Sequence, residues 1–305
     1  MQEILEQIVT ACRPYCSTGK VASYIPELSK ADPFALGLAL AGMDGKVYSA
    51  GDSDHPFTMQ SIAKVVSLCL ALMELGPELV FSKIGLESVA DPFNSIFCLE
   101  KEGAFKPHNP FINSGSIVLA SLLPFPDGDS KFEAILEMAR SMTGNSTLNL
   151  NYDVFYSEKF TSDRNRSLAY FLKSTDSIEG DVEETLDIYF KQCSIEATAI
   201  DLAVMGATLA GNGRNPVTGE EVFPPEIAKI VRALMVTCGT YDGSGEFAVK
   251  VGLPAKSGVG GGIMATLPRR MGVAAYGPAL DFRGNSAAGT KALEMLSEEA
   301  DLRLF

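Results

Sequence analysis

Apolar residues recur at helical spacing in the opening segment to Tyr15 (Ile4, Ile8, Ala11), followed by a loop through Gly19. Two apolar runs, 34–41 and 46–51, flank Met43-Asp44-Gly45, whose Asp-Gly pair favours a hairpin turn. From Ser61 to Leu75 the spacing predicts a helix, stopped by Gly76-Pro77. Its residues Val65, Val66, Leu68, Leu70, Ala71, Leu72 and Met73 take up nearly the whole circumference, so the helix is expected to be buried. The stretch from about 80 to 240 reads mainly as helix, with good periodicity over 133–142, 166–175 and 197–210. Strand patterns return at 246–252, 255–265 and 269–276, and a last helix is expected over about 286–300.

Strands at both chain ends, separated by a long helical stretch, predict an α+β domain with one antiparallel sheet built from both termini. The expected organisation is a single domain, 1–305. It has a sheet part (about 1–55 plus 245–305) and an inserted helical part (about 56–244), with a cleft where they meet.

Composition narrows the functions available. Of 305 residues, 46% are hydrophobic and 21% charged, the balance of an ordinary globular protein. No stretch approaches the roughly 18 apolar residues of a membrane span. The first residues are acidic where a signal peptide carries lysine or arginine, so a cytoplasmic location is expected. A net charge of -13 repels phosphate backbones and anionic lipid, which argues against nucleic-acid and membrane partners. The 6 cysteines (12, 16, 69, 98, 193 and 238) form no Cys-x-x-Cys pair, and only 2 histidines, His55 and His108, are available as co-ligands. No metal or cofactor is implied, and the cysteines read as small buried hydrophobes. With so few histidines, a nucleophile here needs a different base.

Ser-x-x-Lys occurs twice, as Ser17-Thr18-Gly19-Lys20 and as Ser61-Ile62-Ala63-Lys64. The first ends at a glycine and carries no chemistry. In the second, Ser61 opens a buried helix near free N–H groups and the positive end of the dipole, and Lys64 follows one turn later. Burial disfavours a charged lysine, and a neutral one can take the serine proton. On this segment alone, an N-cap serine followed by a snorkelling lysine accounts for the residues equally well. The second motif is Lys256-Ser257-Gly258-Val259 on a predicted strand, where the N–H of Val259 with that of Ser61 can form an oxyanion hole. A Ser-x-x-Lys helix with a Lys-Ser/Thr-Gly strand is the pairing of penicillin-recognising enzymes. Gly258 to Gly262 is not read as a phosphate loop, because no Gly-Lys-Ser/Thr follows it.

Over nearly its whole length the sequence resembles the bacterial serine-dependent glutaminases. The segments that carry the resemblance include Tyr24-Ile25-Pro26, Phe57-Thr58-Met59-Gln60-Ser61-Ile62-Ala63-Lys64 and Lys106-Pro107-His108-Asn109-Pro110-Phe111-Ile112-Asn113-Ser114-Gly115. They continue with Ser157-Glu158, Arg164-Asn165, Tyr189 with Cys193-Ser194, Gly239-Thr240-Tyr241-Asp242, Lys256 to Gly262, and Gly284-Asn285-Ser286. The resemblance implies a serine β-lactamase-like fold and hydrolysis of free L-glutamine to L-glutamate and ammonia through an acyl-enzyme on Ser61. The family's glutamine contacts fall on Ser61, Asn113, Glu158, Asn165, Tyr189, Tyr241 and Val259, with Tyr24 and Gln60 close by. Glu158 is the carboxylate offered to the α-ammonium, while Tyr24 and Asn113 can donate to the α-carboxylate. Ser61, Lys64 and Tyr241 are the expected catalytic set, with Tyr189 as the alternative proton shuttle. The chain departs from the family at Ser114 and Ser116, where alanines are usual, and it lacks the ankyrin repeats of the longer animal enzymes. A homodimer or homotetramer is implied by resemblance only. The competing readings are a penicillin-recognising hydrolase or esterase on the same scaffold, and a sensor that is acylated without turnover.

Overall fold

A computed structural model describes residues 1–89, 95 and 106–304; Cys98 lies outside them. The first part of the chain supplies α1 (Gln2–Cys12), β1 (Lys20–Val21), β2 (Gly37–Gly42), β3 (Val47–Gly51), β4 (Phe57–Thr58) and α2 (Ala63–Lys83). A helical series follows: α3 (Asn113–Leu122), α4 (Gly128–Thr143), α5 (Tyr152–Thr161), α6 (Asp163–Ser174) and α7 (Val182–Cys193). After β5 (Glu196–Ala197) come α8 (Ala199–Ala210), α9 (Pro225–Cys238) and α10 (Ser244–Lys250). The chain closes with β6 (Ala255–Ser257), β7 (Gly262–Leu267), β8 (Met271–Tyr276), β9 (Ala279–Leu280) and α11 (Ala287–Glu299).

Both chain ends build the main sheet, as expected. Its order is β3-β2-β8-β7-β6, antiparallel throughout. The β2–β3 turn falls at Asp44-Gly45, where Gly45 takes φ 78°, a conformation L-residues avoid. Alternation sorts the strand residues onto two faces. Leu38, Leu40, Ile263, Val273 and Ala275 pack with α1 and α11, whereas Ala39, Ala41, Met264 and Ala274 join the larger core under α8. That second face is small for a reason: α8 lies directly on the sheet. A Cβ on Gly206 would sit 2.5 Å from the Ala265 carbonyl oxygen, and one on Gly272 would collide with the α8 backbone. The Thr198–Asp201 capping box fixes the start of α8 directly after β5.

Three expectations need correction. The 246–252 segment is not a strand: through Lys250 it belongs to helix α10. Phe247 and Val251, four apart, are buried, while Val249 is 80% exposed, so the odd-numbered apolar run only mimicked a period of two. The 255–265 run is two strands joined by a turn, with Gly261 at φ 99°. The expected stop at Gly76-Pro77 holds: Gly76 leaves helical geometry at φ 76°, and a second helical stretch opened by Pro77 runs on to Lys83, so α2 is two helices joined at a kink. Finally, the Gln60–Lys83 segment does reach the length and mean hydropathy, 1.7, of a membrane-crossing helix. In this fold it is the central core helix: Ala63 to Leu72 are buried on every side, and Met73 emerges at 41% exposure. The cysteines at 12, 16, 69, 193 and 238 are free and buried, as expected of small hydrophobes.

Candidate active site

Ser61 lies in a single 3-10 turn, Gln60–Ile62, between β4 and α2. The turn is anchored by β4–β5 pairing and by the Met59 N–H, which donates to the Ile195 carbonyl at 2.8 Å. Gln60 is held at φ 49°, a strained value for a residue with a side chain. The glycine turn after β6 packs against this junction. A Cβ on Gly258 would lie 2.5 Å from the Met59 carbonyl oxygen and 3.3 Å from the Ser61 nitrogen. Gly258 and Gly260 therefore make room for the chain that leads into the nucleophile's turn, so the Ser61 and Val259 peptides belong to one junction.

Lys64 is fully buried, and its Nζ donates to Asn113 Oδ1 at 2.6 Å and to the Phe111 carbonyl at 3.2 Å. A neutral amine has two N–H groups, so both have acceptors and the lone pair is left over. Burial lowers the Lys64 pKa to about 8, against the opposite pull of Cys193 and Glu158. Asn113 passes the chain on, donating from Nδ2 to Asn165 Oδ1 at 2.9 Å. Lys64 also stands 5.9 Å from the ring centre of Tyr189.

Glu158, on α5, is 3% exposed, and its Oε2 has no hydrogen-bond partner among the described residues. Burial raises its pKa to about 8, with a hydrogen bond from Gln60 and the charge of Lys64 acting the other way. A buried carboxylate with an open oxygen is a site for a cation. Tyr24 is 57% exposed, and desolvation together with the nearby Tyr241 and Glu158 raises its phenol pKa well above the ordinary value.

Tyr241 is strained at φ 59°. Its hydroxyl is hydrogen-bonded to Ser61 and donates to the Ser257 carbonyl at 3.4 Å. Burial pushes its pKa up to about 12, so it is a neutral phenol at working pH. Tyr189, 2% exposed, bonds through its hydroxyl to Cys193. Val259 packs beside Tyr241.

The structure thus brings every expected residue into one cluster: Tyr24, Gln60, Ser61, Lys64, Asn113, Glu158, Asn165, Tyr189, Tyr241 and Val259. Two neighbours had no role assigned from sequence. Cys193 touches Tyr189 and lies in the field of Lys64 and Glu158; its signal was its position four residues after Tyr189. Lys256, fully buried, lies over the Tyr241 ring at 4.6 Å; its signal was the Lys-Ser-Gly motif. Ser116, a departure from the family pattern, accepts a hydrogen bond from Gln192 Nε2 at 2.8 Å, so the extra hydroxyl is satisfied. Among the described residues, no group of three or more His, Cys, Asp or Glu side chains is placed to hold a metal ion.

A Ser-x-x-Lys turn packed against a Lys-Ser-Gly strand at the edge of an antiparallel sheet defines a protein of the serine β-lactamase-like fold. Comparison with known proteins narrows this class. The family model described as Glutaminase matches residues 19–305. The glutaminase of Clostridium tetani is 54% identical over 305 residues, 100% of both chains, and Glutaminase 2 of Clostridium perfringens is 52% identical over the same span. Among solved structures, the covalent complex of the Bacillus subtilis glutaminase YbgJ with 5-oxo-L-norleucine superposes with a TM-score of 0.91 at 39% identity, covering 100% of this chain and 99% of that one. The chain belongs to the glutaminase family, whose members are amidohydrolases that convert glutamine to glutamate. The penicillin-recognising alternative gives way to this assignment.

Proposed function

We propose that the protein hydrolyses free L-glutamine to L-glutamate and ammonia through an acyl-enzyme on Ser61. The observation that carries this reading is the pairing of a buried Ser61, hydrogen-bonded to Tyr241, with a lysine one turn away whose pKa is about 8. Lys64 is the group placed to act as base near neutral pH; Tyr241, near 12, cannot serve as a phenolate there.

Lys64 Nζ takes the Ser61 proton as Oγ bonds to the side-chain amide carbon, and the oxyanion is held by the Ser61 and Val259 N–H groups. On collapse the C–N bond breaks, and the proton passes from Lys64 through the Tyr241 hydroxyl to the departing nitrogen, releasing ammonia. Tyr241 is preferred to Tyr189 because its hydroxyl meets Ser61, whereas that of Tyr189 meets Cys193. A water then attacks the ester, giving its proton to Lys64, and glutamate leaves with Ser61 regenerated. Glu158 pairs the α-ammonium, and Asn113, Asn165 and Tyr24 face the α-carboxylate. The free, buried cysteines fit a reducing, cytoplasmic location, and the homodimer or homotetramer implied by resemblance is proposed with it.

The test concerns the amino group. Glutaramate is glutamine without it, and would leave Glu158 buried and unpaired. The parent enzyme should release ammonia from glutamine and barely touch glutaramate. Glu158→Gln should lower kcat/KM for glutamine roughly a hundredfold, about 2.7 kcal/mol, and narrow the gap between the two substrates. An unchanged preference would remove Glu158 from the ammonium site.

A further inference from the structure

Tyr241 presents its hydroxyl to Ser61 from a left-handed backbone conformation, φ 59°, that is strained for a residue with a side chain. Such a conformation persists only where its surroundings impose it. The surroundings here centre on Lys256. Its Nζ donates to the Gly239 carbonyl at 2.8 Å and to the Ser257 carbonyl at 2.7 Å. Gly239 lies two residues before Tyr241. The Ser257 carbonyl is the same atom that accepts from the Tyr241 hydroxyl. One amine therefore joins the strand that carries the tyrosine's acceptor to the turn that carries the tyrosine. The rest of the group faces the Tyr241 ring, 4.6 Å from its centre, so the amine supports the face of that ring.

Other contacts close the remaining sides. Gly284 backs the edge of the ring: a Cβ there would lie 3.6 Å from Tyr241 Cε2. Asn285 Nδ2 donates to the Thr240 carbonyl at 3.3 Å, and Arg283 pairs with Asp242 at 3.7 Å. Each of these contacts reaches the turn from outside. Lys256 alone among them reaches it from the sheet and touches the hydroxyl's own acceptor.

We propose that Lys256 is a positioning residue that holds the strained Tyr241 so that its hydroxyl meets Ser61, and that it acts on the reaction only through Tyr241. This rests on the proton-shuttle reading of Tyr241 given above. Lys256 Nζ is spent on the Gly239 and Ser257 carbonyls, with the Tyr241 and Phe111 rings 4.6 and 5.9 Å away. It thereby braces the strand against the turn, whereas Lys64 lies one helical turn from Ser61 and is the base of the proposed mechanism.

The test is a double-mutant cycle in steady-state glutamine hydrolysis, with Lys256→Met and Tyr241→Phe alone and together. Methionine keeps the volume, and both carbonyls keep a second donor: Ser257 N–H on Gly239 at 3.1 Å and Tyr241 on Ser257. Lys256→Met should lower kcat on the order of 10²-fold by misplacing the hydroxyl, with KM changed less than about threefold. In the Tyr241→Phe background the same change should cost almost nothing further. Lys256→Gln, which keeps an N–H donor, should fall between Met and the parent, and it carries the same cycle should the Met variant not fold. Losses that multiply in the double variant, or a parental kcat for Lys256→Met, would overturn the proposal. A parental kcat for Tyr241→Phe alone would instead strike down the shuttle reading on which it rests.

Discussion

Ser61→Ala is expected to lower kcat for glutamine on the order of 10⁴-fold or more, with unfolding temperature and circular dichroism unchanged. The substitution removes one hydroxyl from a side chain that is 6% exposed. The hydroxyl's known partner, Tyr241, keeps the Ser257 carbonyl, so no buried donor is orphaned and the fold has no reason to respond. The loss falls on chemistry alone, because no covalent intermediate can form. Ammonia release above a few per cent of the parent rate, in a preparation free of other glutaminases, would contradict the acyl-enzyme.

Lys64→Arg is expected to cost on the order of 10³-fold in kcat/KM, since a guanidinium stays charged and cannot accept the proton. The pH dependence of the parent follows from the same groups. Lys64 must be neutral and Glu158 ionised for the free enzyme to react, and both titrate near 8. Each is lost as pH falls, so kcat/KM should rise with pH by between tenfold and a hundredfold per unit below about 7 and flatten above about 9. Because the Glu158 carboxylate raises the Lys64 pKa, Glu158→Gln should move the remaining acid limb to lower pH. A flat profile between pH 6 and 9, or a Lys64→Arg variant with parental rate, would make Lys64 a structural lysine.

Part of this site was readable from the chain and part was not, for physical reasons. Ser61 and Lys64 share one helical turn, and Lys256 belongs to a short strand motif, so local spacing was enough to pick them out. Asn113, Glu158, Asn165 and Tyr189 come from α3, α5, α6 and α7, and meet Lys64 only through packing. No spacing rule links Lys64 to Asn113 across 49 residues, so resemblance alone supplied those four. The positive φ of Gln60 and Tyr241 runs against the backbone preference of both residue types, and tertiary contacts impose it. The acceptors of Lys256 are main-chain carbonyls, which side-chain identity does not reveal. In the fold, the apolar runs at 34–41 and 46–51 and the strand pattern at 269–276 located β2, β3 and β8, which pair side by side in the main sheet. The same strand reading failed at α10, where an exposed Val249 completed the apolar run.

The central claim is that Ser61 becomes covalently bonded to the substrate's side-chain carbonyl carbon. The most direct measurement is peptide mapping by mass spectrometry after incubation with 6-diazo-5-oxo-L-norleucine, the reagent that forms the covalent complex with the Bacillus subtilis relative. The adduct should lie on the Ser61 peptide at one equivalent per chain, with loss of activity in step, and it should be absent from Ser61→Ala. An adduct on Cys193 or another cysteine, or full inactivation with Ser61 unmodified, would contradict the account.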